Sequence, residues 1–498
     1  MLSTLPTELI EEILSHVGDV RSLLSATQTC RALQNAYFGG KDFILNNAVC
    51  YTIHPSVLPD AIASFESRPW KVHALWTRSG DEALEHRDTI TAFAEGLILE
   101  HPTAPTFWDS KHAVALLRFH SIVEHFAAWI IKTCFSRVSS RLGDRPPTNS
   151  EIRRVQSALY RWETCRNLFG LKKLLQDDGP FELSGPSDLY FPYFAQHQIE
   201  QMLCVDELLT EVVAEPFNDM VDHDVQWGDI EVPYINDRMD YTATYLLARG
   251  LEFIFKLSTE KSYTQLRKML SLDHEVETRC DDEPGSCRSY LGEIYDEREE
   301  ELYHYGRYSG HSRLPVGDDM DPGPQAAWEW GYCFHYYENR SWGYVFWDMD
   351  RLERSGVLQT VQYISPLPKI ARKSDVDAIG ELDHRQRVID LLRSRLERKK
   401  IKSMGGFGWW DFGDRSRIVW GHRYPRTTKS SDDETSDDEA SGPVPIEREE
   451  IEIDMTGVLD TLHEYLRDQD YFRLGPITRI SWEGFGEEDS AEDSEEDC

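Results

Sequence analysis

The chain has 498 residues, 40% of them hydrophobic, and its 88 acids against 53 bases give a formal net charge of −35. That length supports one or two sizeable cores, while the acidic surplus disfavours non-specific grip on nucleic acid or an anionic membrane, both polyanions, and favours basic partners. The nine cysteines are scattered without a CxxC pair, which argues against a disulfide framework or a zinc pattern. No apolar leader stands at the N-terminus, so a soluble protein of the cytosol or nucleus is expected.

In chain order, Leu9, Ile10, Ile13, Leu14 and Val17 fall at helical spacing, with Glu8, Glu11, Glu12 and Ser15 between them. This predicts a short amphipathic helix with Pro6 in its first turn and Gly18 at its end. Asp19 stands as an N-cap for a second helix carrying Leu23 and Leu24, and a third is expected from about Cys30 to Phe38. Three helices this short cannot bury their apolar stripes alone, and neither metal nor disulfide is at hand, so the triplet needs a partner.

The residues Leu5-Pro6, Glu8-Leu9-Ile10, Ile13-Leu14, Asp19 with Leu23-Leu24, and Cys30-Arg31 followed by Leu33 resemble the F-box. The position after Cys30-Arg31, often aromatic in that family, holds Ala32-Leu33 here. The resemblance implies that the segment clamps a Skp-type adaptor hung on a cullin scaffold, with Leu5, Pro6, Leu9, Ile10, Ile13, Leu14, Leu23, Leu24 and Leu33 as the docking set. Some of these must instead pack the triplet internally, and the sequence does not divide the two groups.

Beyond it the pattern is helical and segmented. Helices are expected from Val57, over Asp88 to Leu99, over Lys111 to Val138, from an Asn149 or Ser150 cap to Leu175, over Ala195 to Val213 and over Asp240 to Leu257, with Pro216 in a loop. The Gly- and Pro-rich stretch from Ser309 to Gln325 reads as a long internal loop and hinge. Trp328, Trp330, Tyr332, Phe334 and Tyr336 alternate at period two, as do Trp342, Tyr344 and Phe346, which predicts an aromatic β-hairpin, either buried against helices or exposed as a peptide-binding surface. The Trp342–Asp348 stretch with Arg351-Leu352 is similar to a segment of long fungal F-box-type chains. Arg385 to Lys402 reads as a helix with a basic polar face made of Arg387, Arg393, Arg395, Arg398, Lys399 and Lys400. That face is either plainly solvated or serves as a nuclear-import patch, a dock for the chain's own acidic tail, or a pocket for an acidic or phosphorylated substrate. No period of roughly 20–50 residues recurs, so leucine-rich, WD and kelch repeats are not supported.

Several chemical motifs fail on context. His86-Arg87-Asp88 and Asp411-Phe412-Gly413 imitate kinase triplets without a Gly-rich loop, and Phe93 stands where the metal-binding Asn belongs. His120, Glu124 and His125 miss the inverted zinc-protease spacing by one residue, and Asp375, Asp377 and Gly380 begin a calcium loop that Ile379 and Gln386 spoil. No catalytic residue, metal or cofactor is therefore expected. Ser430, Ser431, Thr435, Ser436, Ser490 and Ser494 each have an acid three residues on, the pattern of acid-directed phosphorylation.

The expected fold is mainly α: a three-helix F-box over residues 1–45, a large helical domain over 46–425 with the small aromatic β-hairpin, a disordered acidic linker over 426–446, a returning helix and strand over 447–482, and a disordered acidic tail over 483–498. The expected function is that of a non-enzymatic substrate-receptor subunit of an SCF-type cullin-RING ubiquitin ligase, bridging the adaptor and an unknown protein target. The alternative is an acidic interaction protein that binds basic partners without a cullin.

Overall fold

In the computed structural model the described residues are 5–17, 20–71, 88–96, 109–142, 145–169, 189–229, 241–270, 321–333, 339–356, 358, 393–408 and 419–420. They are mainly α-helical and fall in two compact units, the first spanning residues 1–221 and 233–371 and the second 222–232 and 372–498. The linker, the returning helix and strand, the acidic tail, the six phosphorylation positions and both Asp411-Phe412-Gly413 and the calcium-like loop lie outside the described residues.

The first unit begins with α1 (Thr7–Ser15), α2 (Val20–Thr27), α3 (Arg31–Gly39) and α4 (Lys41–Thr52). Helix α1 packs on α3 and α4, and α4 in turn packs on the long α6 (Ser110–Leu142). The expected boundary at residue 45 therefore falls inside α4, whose Ile44, Leu45, Ala48 and Val49 are all buried. The triplet solves its small size by sharing that helix with the body. Helix α5 (Leu58–Glu66) packs on α7 (Asn149–Phe169), and α6 on α7. Ser110–Arg137 is long and apolar enough to cross a membrane by length and composition, and half of the qualifying window is buried within the fold.

The cap of α7 is Thr148 rather than Asn149 or Ser150. The Thr148 backbone N–H donates to Glu151 Oε2 (2.8 Å) and the Glu151 N–H donates to Thr148 Oγ1 (3.2 Å), a reciprocal capping box. Helix α8 (Gln196–His223) runs through Pro216, where a loop was expected. The local cost of an internal proline, about 3 kcal/mol, is outweighed by tertiary burial on both sides, at Val212, Val213, Phe217 and Met220. The single helix expected over 240–257 is two, α10 (Tyr241–Ala248) and α11 (Leu251–Thr259), because Gly250 adopts φ 83° between them. Glu163 Oε2 accepts the Leu251 N–H (2.8 Å) and caps the second. Helix α12 (Tyr263–Leu270) follows.

The aromatic hairpin does not form. Trp328, Trp330 and Tyr332 lie in a helix, α13 (Gly323–Cys333), while Phe334 and Tyr336 fall outside the described residues. The Asp-Pro-Gly-Pro run read as loop is its start: Asp321 Oδ1 accepts the Gly323 N–H (2.7 Å), and Pro324 sits in the first turn, where its missing N–H is not needed. Tyr344–Phe346 form a single 3₁₀ turn after Gly343, at φ 61°. Their side chains do not alternate; with Trp342 and Trp347 all are fully buried, which removes the peptide-binding surface reading. The backbone bonds that a strand would have made are supplied by helix side chains. Arg137 donates to Ser341 O (2.7 Å), Gln201 to Val345 O (3.0 Å) and Arg154 to Phe346 O (2.9 Å). Buried ion pairs hold the ends of the strap, Arg340 with Glu200 (2.6 Å) and Arg351, from α14 (Met349–Ser355), with Glu151 (2.7 Å).

One core pair carries a pH prediction. His120 Nδ1 on α6 is hydrogen-bonded to the Tyr160 hydroxyl of α7 (2.8 Å), and Glu124 Oε1 lies 3.7 Å from its Nε2. Burial pushes the imidazole down from its ordinary 6.5 to about 4, so between those values the unfolded chain holds a proton that the folded chain does not. Stability therefore falls as pH drops through that window, by about 2 kcal/mol between pH 7.5 and 5 from this group alone. Thermal melts of wild type and His120→Gln at both pH values check it: the variant should lose measurably less on acidification.

The second unit has described residues in α9 (Val225–Asp229), a helix over 393–403, and the two-residue strands β1 (Gly406–Phe407) and β2 (Val419–Trp420), paired antiparallel. The basic helix loses one of its face residues to the interior. Arg398 is fully buried, donating to Ser394 O (3.2 Å) and Asp224 O (3.4 Å), and burial lowers its guanidinium to about 10. Arg393 and Lys399 remain exposed.

Candidate functional site

The periodicity of α1 places Ile10 and Leu14 on one face and Leu9 and Ile13 on the adjoining one. The first pair is buried, at 3% and 1% exposure, whereas Leu9 is 52% and Ile13 44% exposed. Pro6, whose φ is −54°, stands as N-cap and is exposed, and Leu5 is half-buried. On α2, Leu23 is fully buried and Leu24 is exposed; on α3, Leu33, Ala36 and Tyr37 face inward and Phe38 outward. Apart from the half-buried Leu5, the nine residues expected to dock a partner fall into two sets of four. Ile10, Leu14, Leu23 and Leu33 fill the interior, while Pro6, Leu9, Ile13 and Leu24 face solvent.

The outward strip continues beyond α1. His16 ends the helix with Nδ1 2.8 Å from Glu12 O, and its ring stacks on Tyr51 of α4 with centroids 4.0 Å apart. Leu9, Ile13 and His16, at i, i+4 and i+7, therefore lead onto Tyr51, itself 55% exposed. Phe43 lies exposed on α4 as well. Burial pushes the Tyr37 phenol and the Cys50 thiol up, so neither adds charge to this region at neutral pH. Phe38, Phe43 and Tyr51 were missed by the sequence reading; for Phe43 the signal was that it falls off the 44, 45, 48, 49 stripe of α4, whereas Tyr51, at i+7 from Ile44, carries no such signal.

The distribution is uneven. Of the seven large hydrophobics exposed among the described residues, six lie between Leu9 and Tyr51, and the seventh is Leu396. Apolar side chains held out on a folded helical unit mark a surface for another protein. What fold and surface define is a small helical N-terminal unit, carrying six exposed large apolar side chains, joined to a helical body.

Residues 2–38 match the family model described as F-box-like. The chain carries an F-box-like domain at its N-terminus, where the sequence pattern resembled one. Domains of this family bind Skp-type adaptors in SCF complexes, and proteins bearing them are in general non-catalytic adaptors. No curated protein and no solved structure was found to match the chain.

Proposed function

We propose that the chain is the substrate-receptor subunit of an SCF-type cullin-RING ubiquitin ligase, working in the cytosol or nucleus. The F-box-like domain docks a Skp-type adaptor, and the helical body holds a protein target. The chain does no bond chemistry of its own; it raises the local concentration of target lysines at a charged ubiquitin-conjugating enzyme. The observation that carries this reading is the clustering of exposed apolar side chains on residues 9–51, within and just past the matched domain. Each is worth up to about 1.5–3 kcal/mol if an adaptor buries it fully.

Co-expression of the full chain with a Skp-type adaptor, followed by size-exclusion chromatography, tests it. An interface made of Leu9, Ile13, Leu24 and Tyr51 should survive about 1 M salt, where the screening length falls to about 3 Å. A partner held by the acidic surplus would be released under the same conditions. Absence of co-elution from a soluble intact chain would move the assignment to an acidic interaction protein without a cullin.

A further inference from the structure

A cleft of about 490 Å³ opens in the first unit between Arg68, α7, the α10–α11 corner and α12. Its walls carry three cations, Arg68, Arg249 and Lys256, against two carboxylates, Glu163 and Glu252, in a chain whose total charge is −35. Both guanidiniums are held in place by the protein. Arg68 pairs with Glu252 Oε1 (2.9 Å) with its guanidinium carbon 4.4 Å from the Phe119 ring centroid. Arg249 donates to Met269 O (2.8 Å) and stacks 3.8 Å over Phe253. Lys256 is exposed one turn beyond Glu252.

The two carboxylates are already engaged, Glu252 with Arg68 and Glu163 with the Leu251 N–H. Against the same wall Asn167 is buried, at 3% exposure, and donates through Nδ2 to Ser67 Oγ (2.9 Å) and Ser64 O (3.2 Å). Its Oδ1 has no partner. That oxygen is shut off from solvent, so it departs from the near-universal pairing of buried polar groups without offering a contact to the cleft.

The geometry points to a recognition pocket for an anionic side chain of a protein target, a carboxylate or a phosphate held by Arg249 and Lys256. The assignment rests on the substrate-receptor reading and names the class of target. Fixed guanidiniums suit the two oxygens of a carboxylate or phosphate, because little further ordering is needed on binding. Phe253 and Met269 add apolar wall, and the volume lies toward the small end of ligand sites. The cleft therefore takes one or two side chains of an extended segment rather than a folded surface. The net charge of the whole chain repels an anion, so a preference for one can arise only locally.

The test uses the full-length chain and three fluorescein-labelled pools of short peptides, randomised except for a central Glu, phosphoserine or Gln. The Glu or phosphoserine pool should bind about tenfold tighter than the Gln pool by fluorescence anisotropy. Lys256→Glu, at an exposed position, should abolish that preference without moving the thermal midpoint, and Ile13→Asp should leave it intact. Preference for phosphoserine alone assigns modified targets; equal preference for Glu assigns acidic ones. Equal binding of the Gln pool, no binding by any pool, an unaltered preference in Lys256→Glu, or displacement by inorganic phosphate as effective as by peptide would each overturn the proposal. Acid preference without adaptor binding would remove the receptor reading and leave the pocket; adaptor binding without acid preference would do the reverse.

Discussion

Replacing Ile13 by Asp should abolish co-elution with a Skp-type adaptor while leaving the helical content and thermal midpoint of the chain unchanged. From the sequence alone the expectation is that the variant buries an unpaired charge and loses adaptor binding while the body stays folded. The structure puts Ile13 at 44% exposure, so in the free chain the carboxylate reaches water and the stability cost stays within about 0.5–1 kcal/mol. Only an adaptor closing over the strip would desolvate it, and an unpaired charge there lowers affinity by at least about 100-fold, or about 3 kcal/mol. The neighbouring Leu14→Asp supplies the contrast. At 1% exposure its charge has no route to water, and α1 should detach from α3 and α4 with several kcal/mol lost. Isothermal titration with purified adaptor and circular dichroism melts of both variants separate the outcomes. Wild-type affinity in Ile13→Asp would sink the docking surface, and an equal loss of fold in both variants would mean that Ile13 is structural.

The second large effect is expected at Arg351. Its guanidinium donates to both oxygens of Glu151 (2.7 and 2.8 Å) and to the carbonyls of Arg145 (3.1 Å) and Pro146 (2.9 Å), and it lies 5.0 Å from the Phe135 ring centroid. Glu151 is fully buried and also accepts the Asp348 N–H (3.0 Å). Arg351→Ala leaves that buried carboxylate without its ion-pair partner, with only the Thr148 and Asp348 N–H groups still donating to it, at a cost of about 3–5 kcal/mol. The corresponding fall in Tm is roughly 5–10 °C for a unit of this size. Replacing both partners by apolar residues, Arg351→Met with Glu151→Leu, should recover much of the loss, since the pair's attraction is largely offset by its desolvation. A double variant as unstable as the single one would show that the carbonyl bonds matter more than the charge pair.

The same residues mark how far the sequence could be read. The helices of the N-terminal triplet were legible because apolar spacing at 3.6 residues is a local property, and Leu9 to Leu14 carry it within two turns. The α7 start was off by one or two residues because Thr148 and Glu151 cap reciprocally, a signal present in the sequence but outranked by the neighbouring Asn149-Ser150. The hairpin failed for a different reason. Period-two aromatics are as compatible with a helix that is apolar on several sides as with a strand, and what decided between them was a capping carboxylate, Asp321, and long-range donors on three helices.

By itself the sequence determined that this protein is mainly helical, that an F-box-like domain stands at its N-terminus, and that its formal net charge is strongly acidic, since periodicity and charge are read off neighbouring residues. Which of Leu9, Ile10, Ile13 and Leu14 face a partner was decided only by tertiary structure, because α3 and α4 cover one adjoining face of α1 and leave the other open. The cleft at Arg68, Asn167 and Arg249 likewise has no local signature, as residues far apart in the chain meet there only when α7 and α11 pack in the same body.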